Sequence, residues 1–178
     1  KPAGIILSGG PESVNLDNPP IAPEFLFDLS VPILGICYGM QTMAKQLGGK
    51  VEASSEREYG YAEVEPSNSF LLDGLSDNDT GLLKVWMSHG DRVESIPEGF
   101  IASASSKNSP FAVMEDTKRK FFGLQFHPEV THTLKGKEII DRFVHEICGC
   151  LHEWTPSNIA SEAIKEVKAK VGDGEVLL

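Results

Sequence analysis

Positive charge is what this sequence has least of: 16 Lys and Arg stand against 26 Asp and Glu, for a net charge of −10. A nucleic-acid surface needs a basic face to neutralise phosphates, so that class of partner is argued against. Acidity by itself speaks to solubility and carries no function. No apolar run approaches the roughly 20 residues that a membrane-crossing helix requires. A secretory leader is not expected either, because Lys1-Pro2-Ala3-Gly4 enters a short apolar run at once. Cysteine is scarce: three cannot all pair within one chain, and their spacing is not a disulfide framework. A reducing, cytoplasmic setting is therefore predicted. Internal repeats and low-complexity tracts are lacking as well.

What is present describes an ordinary globular protein, with 40% hydrophobic and 24% charged residues in a chain of 178. That length suits one well-buried domain and is short for two. Ile5-Ile6-Leu7 reads as a buried strand feeding the tight loop Ser8-Gly9-Gly10-Pro11. A short helix is predicted over Ala22 to Asp28 and a second buried strand over Val31 to Ile36. Met40, Met43, Ala44 and Leu47 then fall on one face of a helix that ends at Gly48-Gly49. The middle is strand-rich, with strands predicted over Tyr61–Glu65, Leu82–Met87, Phe100–Ser105, Phe111–Met114 and Lys120–Phe126. An amphipathic helix carries Ile139, Ile140, Phe143, Val144 and Ile147. Thr155-Pro156 starts another helix, whose apolar face is Ile159, Ala163, Ile164, Val167 and Val171, and Glu175 to Leu178 begins a strand. This order predicts an α/β sheet with an added antiparallel part.

Gly35-Ile36-Cys37-Tyr38-Gly39 lies between a buried strand and a helix, in the pattern of a nucleophile elbow with cysteine as the reactive residue. The glycines permit close backbone approach. A helix start beside the sulfur favours thiolate over thiol, each unit of pKa depression being worth about 1.4 kcal/mol. Such a nucleophile needs a base, and the base needs a third group to fix its tautomer. His127 and Glu129 follow a strand, lie two residues apart across rigid Pro128, and project to one side of an extended backbone.

The other histidines compete for the same role. His89, in a predicted turn with Asp91 near it, is a second-choice base. His145, Cys148, Cys150 and His152 form an H-x-x-C-x-C-x-H run, but metal sites space cysteines by about two to four residues, and this pair sits where a helix ends. No metal is expected. Backbone N–H donors for a developing oxyanion could come from the Ser8-Gly9-Gly10-Pro11 loop and from Tyr38.

Gly35 to Gln41 and Phe126 to Glu129 resemble the two signatures of the triad (class I) glutamine amidotransferases. Leu7 to Ser13, Glu56 to Tyr61, Trp86 to Asp91 and His127 to His132 are similar to the branch that aminates a purine nucleotide, and the resemblance runs through nearly the whole chain. It implies an open, mostly parallel sheet flanked by helices, with an added antiparallel region. The family's first strand and helix would precede Lys1; that strand lies mid-sheet, so the chain is not expected to fold alone. The resemblance also implies hydrolysis of L-glutamine to glutamate and ammonia through a cysteine thioester. The ammonia would aminate adenylated xanthosine monophosphate (XMP) in an ATP-pyrophosphatase synthetase domain. Residues 1–152 would then be the amidotransferase domain, and 153–178 a linker helix and the first strand of the synthetase domain. ATP and Mg²⁺ are expected outside this chain, and a homodimer is expected.

Carried over position by position, Cys37 is the nucleophile, His127 its base and Glu129 the partner of that base. Gly10 and Tyr38 match the oxyanion donors. Gln41, Ser88, Gly90 and Asp91 match positions that hold the amino-acid end of the substrate, with Asp91 suited to the α-ammonium. The segment from Glu56 to Tyr61 is expected to be a specificity or domain-contact loop. Three alternatives stay open: an amidotransferase of anthranilate or carbamoyl phosphate synthesis, a γ-glutamyl peptidase with the same three residues, and a non-catalytic module. The wording of Glu56–Tyr61 and Ser88–Asp91 weighs against the first, and the full Cys, His and Glu set against the last.

Overall fold

Strands β2 (Ile33–Ile36) and β7 (Phe121–Leu124) are buried at every position and lie side by side in parallel in the computed structural model. The structure describes residues 1–77, 79–152, 155–172 and 174. Because successive side chains of a strand point to opposite faces, each of these strands feeds two cores. Leu34, Ile36, Phe122 and Leu124 face one cluster, closed by Phe126, Ile139 and Phe143. Ile33 and Phe121 face the other, with Met40, Met43, Val51 and Met114. Helix α1 (Tyr38–Gln46) therefore covers one face, and α2 (Gly136–Asp141), continued by a π-helical turn over Arg142–Ile147, covers the other.

The sheet has seven strands in the order β1-β2-β7-β6-β5-β3-β4, where β1 is Ile5–Leu7, β3 Lys50–Pro66, β4 Leu83–Ser95, β5 Ile101–Ser106 and β6 Val113–Asp116. The α/β class with flanking helices and an added antiparallel region holds. Its balance differs from expectation: two neighbour pairings are parallel and four antiparallel. The cause is the length of β3 and β4, of 17 and 13 residues. The polar run Glu52 to Arg57 hides the first half of β3, and Ser88 to Asp91 hides the second half of β4.

Both hidden halves matter. Glu58 pairs with His89, Tyr59 with Ser88, Gly60 with Met87 and Tyr61 with Trp86, after a register break between Ala53 and Glu58. The segment read as a loop and the residues read as a turn are thus adjacent stretches of one antiparallel ladder. In the link between β3 and β4, Ser69 Oγ and the amides of Phe70 and Leu71 donate to the buried Glu115 carboxylate at 2.5–3.2 Å.

Smaller differences have local causes. Strand β1, expected to be buried, lies at the edge of the sheet and leaves Ile6 exposed. The helix expected from Ala22 is a 3-10 turn over Glu24–Asp28, started by Pro23. Helix α1 ends as expected, with Gly48 at φ 95° and the Gly49 N–H donating to Ala44 O at 2.8 Å. Helix α3 (Pro156–Val171) starts at Thr155, whose side chain accepts from Asn158 N–H, and its apolar residues Ile159, Ile164 and Val167 are exposed. The strand expected at 175–178 lies outside the described residues. Among the described residues no helix is long and apolar enough to cross a membrane.

Candidate active site

Cys37 sits at the turn from β2 to α1 with φ 50° and ψ −105°, where L residues rarely go. Such a conformation costs about 1–3 kcal/mol and persists only if its surroundings enforce it. They do. A Cβ on Gly35 would come within 2.7 Å of the Gly39 backbone, and one on Gly39 would overlap the Leu7 carbonyl. Helix, strand and turn therefore pack closer than any side chain allows. Below the turn, Cys37 N–H donates to Leu124 O at 2.7 Å.

The sulfur is buried. Its thiol points to the Ser88 carbonyl at 3.6 Å, and Gln125 Nε2 lies 3.9 Å from it. Burial pushes the thiol pKa up to about 11; the Tyr38 N–H and the Gln125 amide oppose this, while the negative charge of Glu129 adds to it. Here the sequence-based expectation of a lowered pKa fails. The helix N-terminus does favour the thiolate, but removal from water outweighs it.

His127 follows β7, and its segment is hung on the outer edge of β4. His127 N–H donates to Trp86 O at 3.0 Å and Leu134 N–H to Lys84 O at 3.3 Å. Between them Thr133 Oγ1 donates to His127 O at 2.6 Å and accepts from Trp86 N–H at 3.0 Å. An edge strand's unpaired backbone groups are thereby used to position a histidine. His127 Nδ1 is 2.6 Å from Glu129 Oε1, and its Nε2 is buried with no hydrogen-bond partner. A Cβ on Gly9 would lie 3.0 Å from His127 Cε1 and 3.8 Å from Cys37 Cβ. Imidazole and thiol residue thus converge on one point, which only glycine leaves open.

A cavity of about 550 Å³ opens above this point and is lined by Gly10, Cys37, Gln41, Asp91 and His127 among others. Gly10 lies against the Tyr38 ring. Gln41 is buried, its amide donating to Asp91 O at 2.7 Å and to Gln125 Oε1 at 3.3 Å. The Asp91 carboxylate accepts from the Ser13 hydroxyl. All the site residues singled out in the sequence, apart from Tyr38 and Glu129, line this one cavity, and those two bond or touch residues that do.

His89 is not placed like a base. It lies within β4, 4% exposed, with Nδ1 3.0 Å from Asp91 O and Nε2 3.1 Å from Glu58 Oε2. Burial works to raise the Glu58 pKa, but hydrogen bonds from His89, Ser109 and Ser106 and the charge of His89 outweigh it and hold it below the ordinary value. The cysteine–histidine run divides. His145 stacks on His152 with centroids 3.4 Å apart, near Asp141, while Cys148 packs against Gly4.

Gly9 lay in the loop singled out for oxyanion donors, and Arg57 and Glu58 in the segment expected to be a specificity or domain-contact loop, without individual roles. Sequence reasoning missed Gln125 and Thr133 altogether. Thr133, whose contribution is a side chain bonded to backbone, carried no signal.

The sequence model of the family "Glutamine amidotransferase class-I" matches residues 1–147. A glutamine-hydrolysing GMP synthase of Shewanella amazonensis is 57% identical over 183 residues, covering 99% of this chain and 35% of that protein. The chain thus spans about a third of the length of the curated relatives it matches. The crystal structure of a candidate GMP synthase component from Thermoplasma acidophilum superposes with a TM-score of 0.64 at 28% identity, over 80% of this chain and 65% of that one. A glutamine amidotransferase from Thermotoga maritima gives 0.59 at 25% identity, over 94% and 72%.

Proposed function

This chain belongs to the class-I glutamine amidotransferase family, and from that premise we propose that it is the glutamine-hydrolysing portion of a GMP synthase. Cys37 attacks the side-chain amide carbon of L-glutamine, and His127 Nε2 takes the thiol proton. The tetrahedral oxyanion is held by the N–H groups of Gly10 and Tyr38. When it collapses, the C–N bond breaks, the proton passes from His127 to the leaving nitrogen as ammonia, and a γ-glutamyl thioester remains. Water, deprotonated by His127, then attacks the thioester; glutamate leaves and the thiol is restored.

One observation supports this above others: a histidine with one nitrogen fixed by Glu129 and the other buried and unpartnered, beside a cysteine on a strained elbow. Catalytic hydrogen bonds commonly tighten only when substrate is bound. At pH 7 a thiol with a pKa of about 11 is ionised in about one molecule in ten thousand, so a base is required. Glu129 fixes the tautomer and stabilises the imidazolium. Gln41, Ser88, Gly90 and Asp91 hold the amino-acid end, Asp91 taking the α-ammonium.

The ammonia is proposed to aminate adenylated XMP in a synthetase domain with ATP and Mg²⁺, in the part of the relatives' length that this chain does not span. The cavity above Cys37 fits no such nucleotide role. It sets Glu12 and Asp91 beside a single guanidinium, a poor environment for a triphosphate. In the full-length protein, Cys37→Ala is expected to abolish glutamine-dependent GMP synthesis and glutamate release while ammonium still supports synthesis. Equal loss with both nitrogen sources would overturn the proposal.

A further inference from the structure

Glutamine brings two charges to the cavity, and only one has a partner so far. If Asp91 takes the α-ammonium, the α-carboxylate stands among Asp91 and Glu12 and needs a cation. The lining offers His89, His127 and Arg57. Both ring nitrogens of His89 are engaged, by Asp91 O and Glu58. His127 has Nδ1 on Glu129, and its other nitrogen belongs to the reaction. Arg57 is left, and among the described residues no carboxylate forms an ion pair with it.

Its position suits the task. Arg57 Nε and the Tyr59 hydroxyl each lie 3.8 Å from the point where a Cβ on Gly90 would sit. The two side chains thus meet over Gly90, one residue from Asp91, so cationic and anionic groups flank a single backbone position. An amino acid presents its ammonium and carboxylate from a single Cα, which this spacing matches. Strand parity explains how the cation stays available. Arg57 and Tyr59 face the cavity, while Glu58 between them points inward to His89, Ser106 and Ser109. Glu58 anchors the strand and leaves the guanidinium to the cavity. A guanidinium presents a planar fork of donors that matches a carboxylate in two parallel bonds.

We propose that Arg57 binds the α-carboxylate of glutamine, with the Tyr59 hydroxyl as a second donor. The proposal rests on the glutaminase reading above and deepens it: selection for a free α-amino acid resides in β3 as well as β4. It is tested in the full-length protein by glutamate or ammonia release from three amides. These are glutamine, γ-aminobutyramide (which lacks the carboxylate) and glutaramate (which lacks the ammonium). Where turnover of an analogue is slow, its inhibition constant against glutamine is measured instead.

Arg57→Ala is expected to lower kcat/KM for glutamine roughly 10- to 100-fold, mainly through KM, the effect of losing a charge-assisted bond. Glutaramate should lose about as much, γ-aminobutyramide should be nearly unaffected, and Arg57→Lys should recover part of the loss. Arg57 is exposed, so folding is not at stake. An equal loss for glutamine and γ-aminobutyramide would show that Arg57 only shapes the site, for instance by pairing with Glu12, and would overturn the proposal. So would an unchanged KM for glutamine. A wild-type protein that does not hydrolyse glutamine would instead overturn the glutaminase reading itself.

Discussion

Replacing Thr133 by valine keeps the shape of the side chain and removes only its hydroxyl. That hydroxyl makes two of the bonds tying the His127 segment to β4, donating to His127 O at 2.6 Å and accepting from Trp86 N–H at 3.0 Å. Thr133 is 4% exposed, so water does not replace what is lost. Stranding a buried donor or acceptor costs about 1–3 kcal/mol, which puts the pair at about 2–6 kcal/mol. For a domain of this size, at about 2–4 °C per kcal/mol, that lowers Tm by about 4–24 °C. His127 also loses the bond that fixes its own carbonyl, and a misplacement of about 1 Å in a reacting group can cost about 100-fold in rate. In the full-length protein, Thr133→Val is therefore expected to lower kcat for glutamate release by about 10- to 100-fold. KM should change little, because Gln41, Ser88 and Asp91 stand on α1 and β4. Thr133→Ser keeps both bonds and should retain the rate. A valine variant with wild-type Tm and kcat would refute the reasoning. It would show that His127 N–H on Trp86 O and Leu134 N–H on Lys84 O hold the segment unaided.

Three further outcomes follow from the same geometry. His127→Ala should cut kcat by about 1,000-fold or more with stability near wild type, whereas His89→Ala should raise KM and destabilise the fold by about 1–3 kcal/mol by leaving the buried Glu58 carboxylate to Ser106 and Ser109 alone; steady-state kinetics with thermal melts separate the two, and the reverse pattern would make His89 the base. Gly39→Ala puts a methyl into the Leu7 carbonyl and should cost about 1–3 kcal/mol in urea unfolding, with a fall in kcat as α1 and its Tyr38 N–H are displaced; wild-type values would mean the elbow has slack. In the full-length enzyme, ATP and XMP together should raise glutamate release, since displacing one oxyanion donor is worth about 3–4 kcal/mol; a rate already maximal without them would show a permanently assembled site.

Strands β1 and β2, helix α1 and the Cys37 and His127 motifs were legible because they are short-range signals: apolar runs, a 3.6-residue period, and glycines bracketing a cysteine. That β1 is an edge strand with Ile6 exposed was not, because an apolar run does not tell an edge from a centre. The long hairpin was not. Residues 52–58 alternate too weakly to announce a strand, because β3 there borders an open polar cavity on one side and buries Glu58 in hydrogen bonds on the other. For the same reason Ser88 to Asp91 read as a turn. Glu58–Tyr61 and Trp86–His89 are paired stretches of one ladder, which no local pattern reveals. The expected cysteine pKa fails because the helix terminus is visible in sequence and the depth of burial is not.

Burial of Cys37 and the orientation of His127 belong to one design. A thiol held up to about 11 is neutral in the resting site, and the charge of Glu129 adds to that while its carboxylate holds His127 Nδ1. The same carboxylate therefore disfavours an isolated thiolate and fixes the imidazole that is proposed to take its proton. On the proposed mechanism the proton crosses only when negative charge is leaving the sulfur for the substrate carbonyl, where the Tyr38 and Gly10 N–H groups are proposed to receive it. A cysteine of this kind is poorly nucleophilic toward whatever enters the cavity and strongly so toward an amide carbon placed between sulfur and imidazole. The strained elbow supplies the remaining requirement, because the close packing at Gly35 and Gly39 fixes the backbone of the turn, while Ser88 O and the Gln125 amide orient the sulfur.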